Sequence, residues 1–218
     1  MRECLFGMQP VWTDQSPNYP SASDAAVTLM GELSPAWKML LLSDGSVTRH
    51  VELLTGGQVA IDCVEMRTHA DLTSLIVGEE EGEGGEKKEN SLALADAMRI
   101  PRPAVQRQVF LYSGAVPDVP CVYAVSWWNQ TKAEEFLTDV SSPIWANLSA
   151  HKTELHREVR ALYRGHSAEL ERAMGCEGPF WGRHYQFWHQ GEVLTVIFEA
   201  FSNDLDDFLS EACPAPPE

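Results

Sequence analysis

The sequence predicts a single-domain α+β protein in which helices pack against an antiparallel sheet. At 218 residues the chain is long enough for one substantial core and too short for two independent domains. Two pairs of apolar segments, 105–112 with 121–128 and 183–189 with 193–201, are each joined by a turn-rich connection and predict two hairpins. Helical segments are grouped around these paired strands, which favours an α+β fold.

The N-terminal part of the chain predicts an irregular segment followed by two capped helices and a strand. Residues 1–30 are predicted to be irregular because Ser, Pro, Asp and Asn are frequent there. Ser34 supplies an N-cap before a proline, and Ser46 caps a second helix that ends at Gly56. The predicted elements are a helix over 35–42, a helix over 47–54 and a strand over 58–66.

The rest of the chain contains one polar insertion. Residues 78–90 consist of Gly, Glu, Lys and Asn without an apolar residue, which predicts a solvated loop within the domain. Apolar residues recur at helical spacing along 152–174, so one or two helices are predicted there. The residues of that helical face are Leu155, Val159 and Leu162. A short helix over 131–138 completes a domain over 31–210, and a disordered tail follows over 211–218.

The charge balance restricts the classes of partner. With 16 Lys and Arg against 32 Asp and Glu, the net charge is −16, and the basic residues are scattered. Such a chain repels nucleic acid and anionic membrane surfaces. The sequence therefore predicts no nucleic-acid partner, although a few well-placed arginines can bind an acidic metabolite. Five cysteines without a CxxC spacing predict neither a metal site nor a disulfide framework.

The sequence also predicts a soluble protein in a reducing compartment. No run of about 18 apolar residues is present, so no membrane span is predicted. Residues 1–10 lack the apolar stretch of a secretory signal and the arginine content of a transit peptide. The odd number of cysteines favours free thiols, which are typical of reducing compartments.

Two charged residues interrupt the apolar faces of predicted strands. Because side chains alternate along a strand, Arg107 shares its face with Val105 and Val109, and Glu199 shares its face with Ile197. Both are predicted to be buried, and a buried charge needs an ion pair, hydrogen bonds or a ligand. From spacing alone a structural ion pair across the sheet is slightly favoured over a functional pair at a binding site.

The turn from Asp44 into the helix capped by Ser46 is a third candidate. The first backbone N–H groups of a helix have no internal partners and can hold an anion. A well-capped helix without a ligand is the commoner interpretation. No metal site is predicted at His151 and His156, because no carboxylate cluster joins them, and structural roles are assigned to His166, His184 and His189.

Three stretches of the sequence together resemble the chorismate lyase family. The segment LLLSDGSVTR at 40–49 is similar to the opening motif of the family, an apolar helix end, a turn and a helix start. The Trp-Gly-Arg at 181–183, the hairpin that follows and the strand with Glu199 resemble its C-terminal motif. The sequence over 152–185 is similar to the cyanobacterial and algal-plastid branch. The resemblance covers roughly residues 9–209, with 78–90 as an insertion.

The resemblance implies a six-stranded antiparallel sheet and a ligand sealed between the sheet and helical flaps. Arg107 stands where the family binds a carboxylate, and Glu199 stands where the family has its essential glutamate. Backbone contacts would come from Val47 and Ile144, and Trp145 replaces a glycine and would narrow the pocket. The implied protein is a monomer without cofactor or metal, in the plastid if the source is an alga or plant, and otherwise in the cytoplasm.

The implied activity is the conversion of chorismate to 4-hydroxybenzoate and pyruvate for quinone biosynthesis. We expect Arg107 to bind the ring carboxylate bidentately and Glu199 to contact the opposite ring oxygen and take part in proton transfer. Arg183 either contributes charge or caps the hairpin. The alternative function is a non-catalytic domain of the same fold that binds a small aromatic acid, and a lyase for a relative of chorismate is a further option.

Overall fold

The computed structural model describes residues 8–13, 33–70, 72 and 92–209, so the acidic insertion at 78–90 and the tail at 211–218 lie outside it. The described residues form one antiparallel sheet with the strand order β1-β5-β6-β7-β4-β3-β2. The strands are β1 (Met8–Thr13), β2 (Val59–His69), β3 (Ala104–Ser113), β4 (Val116–Asn129), β5 (His156–Gly165), β6 (Phe180–His189) and β7 (Glu192–Phe201). The predicted α+β fold is confirmed.

Seven short α-helices and one 3₁₀ turn connect and cover these strands within the described residues. The helices are α1 (Pro35–Leu42), α2 (Val47–Thr55), α3 (Leu92–Ala97), α4 (Gln130–Phe136), α5 (Ile144–Ala150), α6 (Ala168–Met174) and α7 (Asp206–Leu209), with the 3₁₀ turn at Asn203–Leu205. No helix among the described residues is long and apolar enough to cross a membrane.

The predicted helix starts are present at both N-caps. The Ser34 hydroxyl accepts a hydrogen bond from the backbone N–H of Trp37 at 3.2 Å, and the Ser46 hydroxyl accepts one from Arg49 at 3.4 Å. Gly56 ends α2 with a φ of 73°, a left-handed conformation that favours glycine. These local signals fix where α1 and α2 begin and where α2 ends.

The edge strand β1 lies in the segment predicted to be irregular, so the sheet has seven strands instead of the expected six. Met8 pairs with Gly165 and Thr13 pairs with Ala161 of β5. The local sequence MQPVWT has no clear alternation and contains a proline, which edge strands tolerate. Pairing with a distant strand therefore creates β1, and no local pattern could indicate it.

The predicted helices over 152–174 are wrong in their first half, which forms β5, while α6 occupies the second half. A β-bulge lies between Val159 and Ala161 and shifts the alternation of β5 by one residue. As a result Val159 and Leu162 pack against the same apolar cluster although they are three residues apart. A bulged strand thus imitates the spacing of a helix.

Apolar residues cover both faces of the sheet. On one face, α3 and α6 pack against a cluster that includes Trp127 and Phe198. On the other face, α1 and α2 cover one cluster, and α4 lies over a second that includes Trp128 and Tyr185. The candidate site lies on this second face, where residues of both clusters meet.

Candidate functional site

A cavity lies between the second face of the sheet and the starts of α2 and α5. Its floor is formed by side chains of β2, β3, β4, β6 and β7, and its walls include Arg157 of β5. All four residues implied by the sequence line this one cavity: Val47, Arg107, Ile144 and Glu199. The remaining lining is mainly apolar, so charges in the cavity are poorly screened by water.

Arg107 is buried on β3, with 2% of its surface exposed. Its Nη2 donates hydrogen bonds to the backbone carbonyls of Val140 at 2.7 Å and Ser142 at 3.1 Å. Its Nε–H has no acceptor among the described residues, and no carboxylate there forms an ion pair with it. Burial lowers the pKa of the guanidinium below its ordinary value. Nη2 is thus engaged and the Cys63 thiol also interacts with the guanidinium, while the Nε–H is left available.

Glu199 is buried on β7 and is held from two sides. Its Oε2 accepts a hydrogen bond from Arg183 Nε at 2.7 Å, and its Oε1 accepts one from the Tyr185 hydroxyl at 2.8 Å. Arg183 lies directly opposite Glu199 on β6 and is fully buried. Burial raises the pKa of the Tyr185 phenol, which keeps this group a hydrogen-bond donor. The carboxylate is therefore fixed in orientation and charge-compensated.

Arg183 also anchors the turn above the cavity. Its Nη1 donates to the backbone carbonyls of Leu41 at 3.2 Å and Ser43 at 3.3 Å, while Nη2 has no acceptor among the described residues. The residue joins the sheet to the end of α1. The hairpin-capping role considered from the sequence does not apply, because Arg183 lies within β6 and away from the turn at 190–191.

Arg107 and Glu199 do not pair with each other. Glu199 lies opposite Ala124 of β4, and Ala124 lies opposite Val109, two residues along β3 from Arg107. Two strand spacings and two residues along the strand separate their backbones by about 12 Å. The structural ion pair favoured from spacing alone is therefore wrong for these two residues. The two side chains therefore line the same cavity without contacting each other.

Arg157 is a cavity residue that the sequence analysis missed. Its guanidinium lies over the rings of Tyr185 at 4.3 Å and Phe187 at 4.7 Å from their centroids. Its Nη1 donates to the backbone carbonyl of Gly45, whereas Nε has no acceptor among the described residues. Burial lowers the pKa of this guanidinium as well. The helical spacing of 152–174 hides Arg157, because only its position in a strand places it on the cavity face of the sheet.

The two implied backbone contacts come from the cavity roof. Val47 begins α2 after the Ser46 cap and is buried. Ile144 begins α5 after Pro143, where no side chain caps the helix. Trp145 also lines the cavity but is 49% exposed, so its indole lies at the boundary between cavity and solvent. The roof consists of two helix starts and one aromatic side chain.

A separate polar network lies on the opposite face of the sheet. The Tyr163 hydroxyl lies 2.7 Å from His184 Nδ1, and His184 Nε2 lies 3.2 Å from Asp96 Oδ2. Asp96 also pairs with Arg160 at 3.3 Å. Burial is the main cause that lowers the pKa of His184. This network joins α3 to β5 and β6 and does not reach the cavity.

No metal site was found within the described part of the chain. No group of three or more His, Cys, Asp or Glu side chains there is placed to hold an ion. His151 and His189 flank the ring of Phe136 in edge-on contacts, with centroid distances of 6.0 and 5.7 Å. Their Nδ1 atoms lie within hydrogen-bond distance of the backbone carbonyls of Asn147 and Glu154.

The fold and the cavity define a class of α+β domain with a charged cavity between its antiparallel sheet and two helix starts. Comparison with known sequences specifies the family, since the profile described as "Chorismate pyruvate-lyase Rv2949c-like" matches residues 41–209. The chain belongs to this Rv2949c-like chorismate pyruvate-lyase family. The predicted resemblance to chorismate lyases is thereby confirmed.

Two similar proteins come from Cyanophora paradoxa and Porphyra purpurea, and both are described as "Uncharacterized protein ycf21". The Cyanophora protein is 34% identical over 202 residues, which are 93% of this chain and 92% of that protein. The Porphyra protein is 26% identical over 178 residues, which are 82% of this chain and 87% of that protein.

Two solved structures have a similar fold at low sequence identity. PhnF from Mycobacterium smegmatis matches with a TM-score of 0.51 and 12% identity, covering 75% of this chain and 66% of that one. The possible transcriptional regulator YydK from Bacillus subtilis matches with a TM-score of 0.52 and 12% identity, covering 79% and 67%. The chain spans about two thirds of the length of these proteins, and the likeness concerns the fold alone.

Proposed function

We propose that the protein is a chorismate lyase, which converts chorismate to 4-hydroxybenzoate and pyruvate. The ether bond between ring carbon C3 and the enolpyruvyl oxygen breaks, and C4 loses its proton. The electron pair of the C4–H bond forms the last double bond of the aromatic ring. The released enolpyruvate takes up a proton and becomes pyruvate. Aromatisation supplies much of the driving force, so the protein mainly binds, orients and moves one proton.

The observation that carries the proposal is that Arg107 and Glu199 line one cavity without contacting each other, with about 12 Å between their backbones. Arg107 has a buried positive charge without a carboxylate partner among the described residues. A buried charge of this kind is unfavourable unless a ligand compensates it. The ring carboxylate would accept the free Nε–H of Arg107. Because Nη2 already donates to two carbonyls, the bidentate contact expected from the sequence would have to displace one of them.

Glu199 is proposed to accept the proton that leaves C4. In a ring bound by Arg107 through its C1 carboxylate, C4 and its hydroxyl point to the opposite end of the cavity, where Glu199 lies. Hydrogen bonds from Arg183 and Tyr185 hold the carboxylate in one orientation. A positioned base of this kind contributes roughly 100- to 10,000-fold to a rate. The oxygens of Glu199 thus serve as the proton acceptor and as a contact for the C4 hydroxyl.

The roof residues are proposed to exclude water and to add backbone contacts. The N–H groups of Val47 and Ile144 at the two helix starts would donate to the polar ends of the ligand. Closure over the ring would strengthen each electrostatic contact inside and retain the product. Slow release and inhibition by 4-hydroxybenzoate are the expected consequences.

A second candidate is a non-catalytic domain that binds a small aromatic acid. The observation in its favour is the likeness of the fold to a possible transcriptional regulator. A binding domain would need the arginine but would not need a fixed carboxylate at the other end of the ring. The presence of Glu199 with two donors therefore favours the lyase.

With relatives in Cyanophora and Porphyra, we further propose a plastid location and a supply of 4-hydroxybenzoate to quinone synthesis.

The decisive experiment follows both products after mixing the purified protein with chorismate. 4-Hydroxybenzoate is measured by chromatography, and pyruvate is measured by coupling to lactate dehydrogenase. Arg107→Ala and Glu199→Gln are tested beside the wild type, with Glu135→Gln on the exposed surface as a matched control. Equal amounts of both products from wild type and control, with losses in the two cavity variants, support the proposal. Binding of 4-hydroxybenzoate without turnover of chorismate would favour the second candidate.

A further inference from the structure

Arg157 is a second buried arginine in the cavity without an ion-pair partner in the part of the chain that the structure describes. Only 9% of its surface is exposed. Its charge is compensated by the carbonyl of Gly45 and by the faces of two aromatic rings. These contacts leave the Nε–H without an acceptor. The arrangement is that of a guanidinium which is fixed in place before its anion binds.

Glu199, the carboxylate that lines the same cavity, is already engaged by two hydrogen-bond donors. Arg183 and Tyr185 donate to its two oxygens at 2.7 and 2.8 Å. Glu199 acts on Arg157 only through its field, as Asp44 does. The described lining of the cavity therefore carries two buried guanidinium groups, Arg107 and Arg157, that lack a bound carboxylate. This charge pattern fits a ligand with two acidic groups better than a ligand with one.

The two arginines lie at different ends of the cavity. Arg157 lies over the ring of Tyr185, and the hydroxyl of the same tyrosine donates to Glu199. Arg157 therefore belongs to the Glu199 end, away from Arg107. In chorismate the enolpyruvyl group on C3 is adjacent to the C4 hydroxyl. A ring held between Arg107 and Glu199 consequently carries its second carboxylate toward the Arg157 end.

We propose that Arg157 binds the enolpyruvyl carboxylate of the substrate and thereby distinguishes the dianionic substrate from the monoanionic aromatic product. This assignment rests on the lyase function proposed above. The planar guanidinium, stacked on Tyr185 and Phe187, presents its N–H groups in one fixed direction, which suits a carboxylate. Once the C3–O bond is broken, 4-hydroxybenzoate makes no contact with Arg157. The substrate then makes one ionic contact more than the product does.

The test compares a dianionic and a monoanionic ligand in the intact protein. Titration calorimetry measures binding of 4-hydroxybenzoate and of 3-(carboxymethoxy)-4-hydroxybenzoate, a stable mimic that carries the second carboxylate on the C3 oxygen. Arg157→Gln should weaken the dianion at least 30-fold and the monoanion less than threefold. Arg107→Gln, the matched comparison, should weaken both ligands to a similar degree. Arg157→Lys keeps the charge and should retain part of the preference for the dianion.

The outcomes separate this assignment from the lyase proposal. Equal weakening of both ligands by Arg157→Gln, or no weakening of either, overturns the role of Arg157 even if the wild type converts chorismate. Selective weakening of the dianion in a protein that shows no turnover supports the subsite and contradicts the lyase. If Arg157→Gln does not fold by circular dichroism, Arg157→Lys decides. The assignment is contradicted if Arg157→Lys has the same ratio of dianion to monoanion affinity as the wild type and if this ratio does not change with salt concentration.

Discussion

Arg183 and Glu199 occupy directly opposed positions on β6 and β7, with 2.7 Å between Nε and Oε2 and almost no exposed surface on either side chain. The ion pair is completed by the Tyr185 hydroxyl and by the carbonyls at the end of α1. One partner is proposed to take part in chemistry, and the other joins the sheet to the end of α1. Substitutions in this pair are therefore expected to change the free energy of unfolding and the reaction rate by different degrees.

Removal of one partner should destabilise the protein strongly. Glu199→Ala leaves Arg183 buried without its carboxylate, and loss of one partner of a buried pair costs about 3–5 kcal/mol. Glu199→Gln keeps an acceptor for Arg183 and should cost less while still losing activity. Urea unfolding provides the free energies. Glu135→Ala breaks the exposed pair with Lys132 and should change stability by no more than about 1 kcal/mol. Equal losses in the buried and exposed pairs would contradict this expectation.

Replacement of Arg107 by lysine should reduce binding although the charge is kept. A single ammonium cannot hold the carbonyls of Val140 and Ser142 and also donate in the direction of the present Nε–H. A lost hydrogen bond to a charged group is worth about 1.5–3 kcal/mol, so kcat/KM should fall roughly 10- to 150-fold. Steady-state kinetics with chorismate measure the loss, and an unchanged kcat/KM would exclude this geometry.

Stability should decrease as the pH falls from about 7.5 to 5.5, owing in part to His184. Burial is the largest cause and lowers the pKa of His184 from 6.5, while the hydrogen bond and charge of Asp96 oppose this shift. The unfolded chain then takes up a proton below pH 6.5 while the folded chain does not, so the stabilisation is full above 6.5 and is lost below it. The slope is at most about 1.4 kcal/mol per pH unit for one proton.

The variant His184→Gln isolates this contribution. Its unfolding free energy, measured with urea at several pH values, should have a shallower pH dependence than that of the wild type. A residual slope is expected from His50, whose pKa is also lowered, mainly by burial. Parallel curves for His184→Gln and wild type would show that His184 does not titrate in this range.

Trp145→Gly should accelerate release of the product. The indole lines the cavity and is half exposed, so its removal opens the roof without emptying the core. We expect the inhibition constant of 4-hydroxybenzoate to rise several-fold, and kcat to rise if release limits the rate. Leu53→Ala, an exposed apolar residue of α2 outside the cavity lining, is the control. An inhibition constant equal to that of the control would show that Trp145 does not retain the product.

Elements that depend on local chemistry could be predicted from the sequence. Ser34 and Ser46 cap their helices with their own hydroxyl groups, and the sequence contains all that these caps require. The charges of Arg107 and Glu199 on apolar strand faces indicated burial, and both residues are buried. Their common cavity followed from the resemblance to a family and not from spacing, because spacing does not determine which strands are neighbours.

Two β-bulges explain why the rest of the site could not be predicted. Counting back from the turn at 190–191 pairs Arg183 with Phe198, whereas the bulge between Phe187 and Trp188 moves Glu199 opposite Arg183. The bulge in β5 gave that strand a helical spacing, and Arg157 was overlooked with it. A bulge depends on long-range packing, so a pattern of local alternation does not reveal it.

The edge strand β1 determines where the folding unit begins. The family profile starts at residue 41, yet Met8–Thr13 is paired along β5, the strand that carries Arg157. A shortened chain that starts at residue 41 would leave the N–H and C=O groups of β5 that face β1 without hydrogen bonds. Exposed strand edges pair readily with other copies of a chain, so such a fragment should self-associate. Expression boundaries copied from the family profile would therefore remove the strand that protects this edge of the sheet from aggregation.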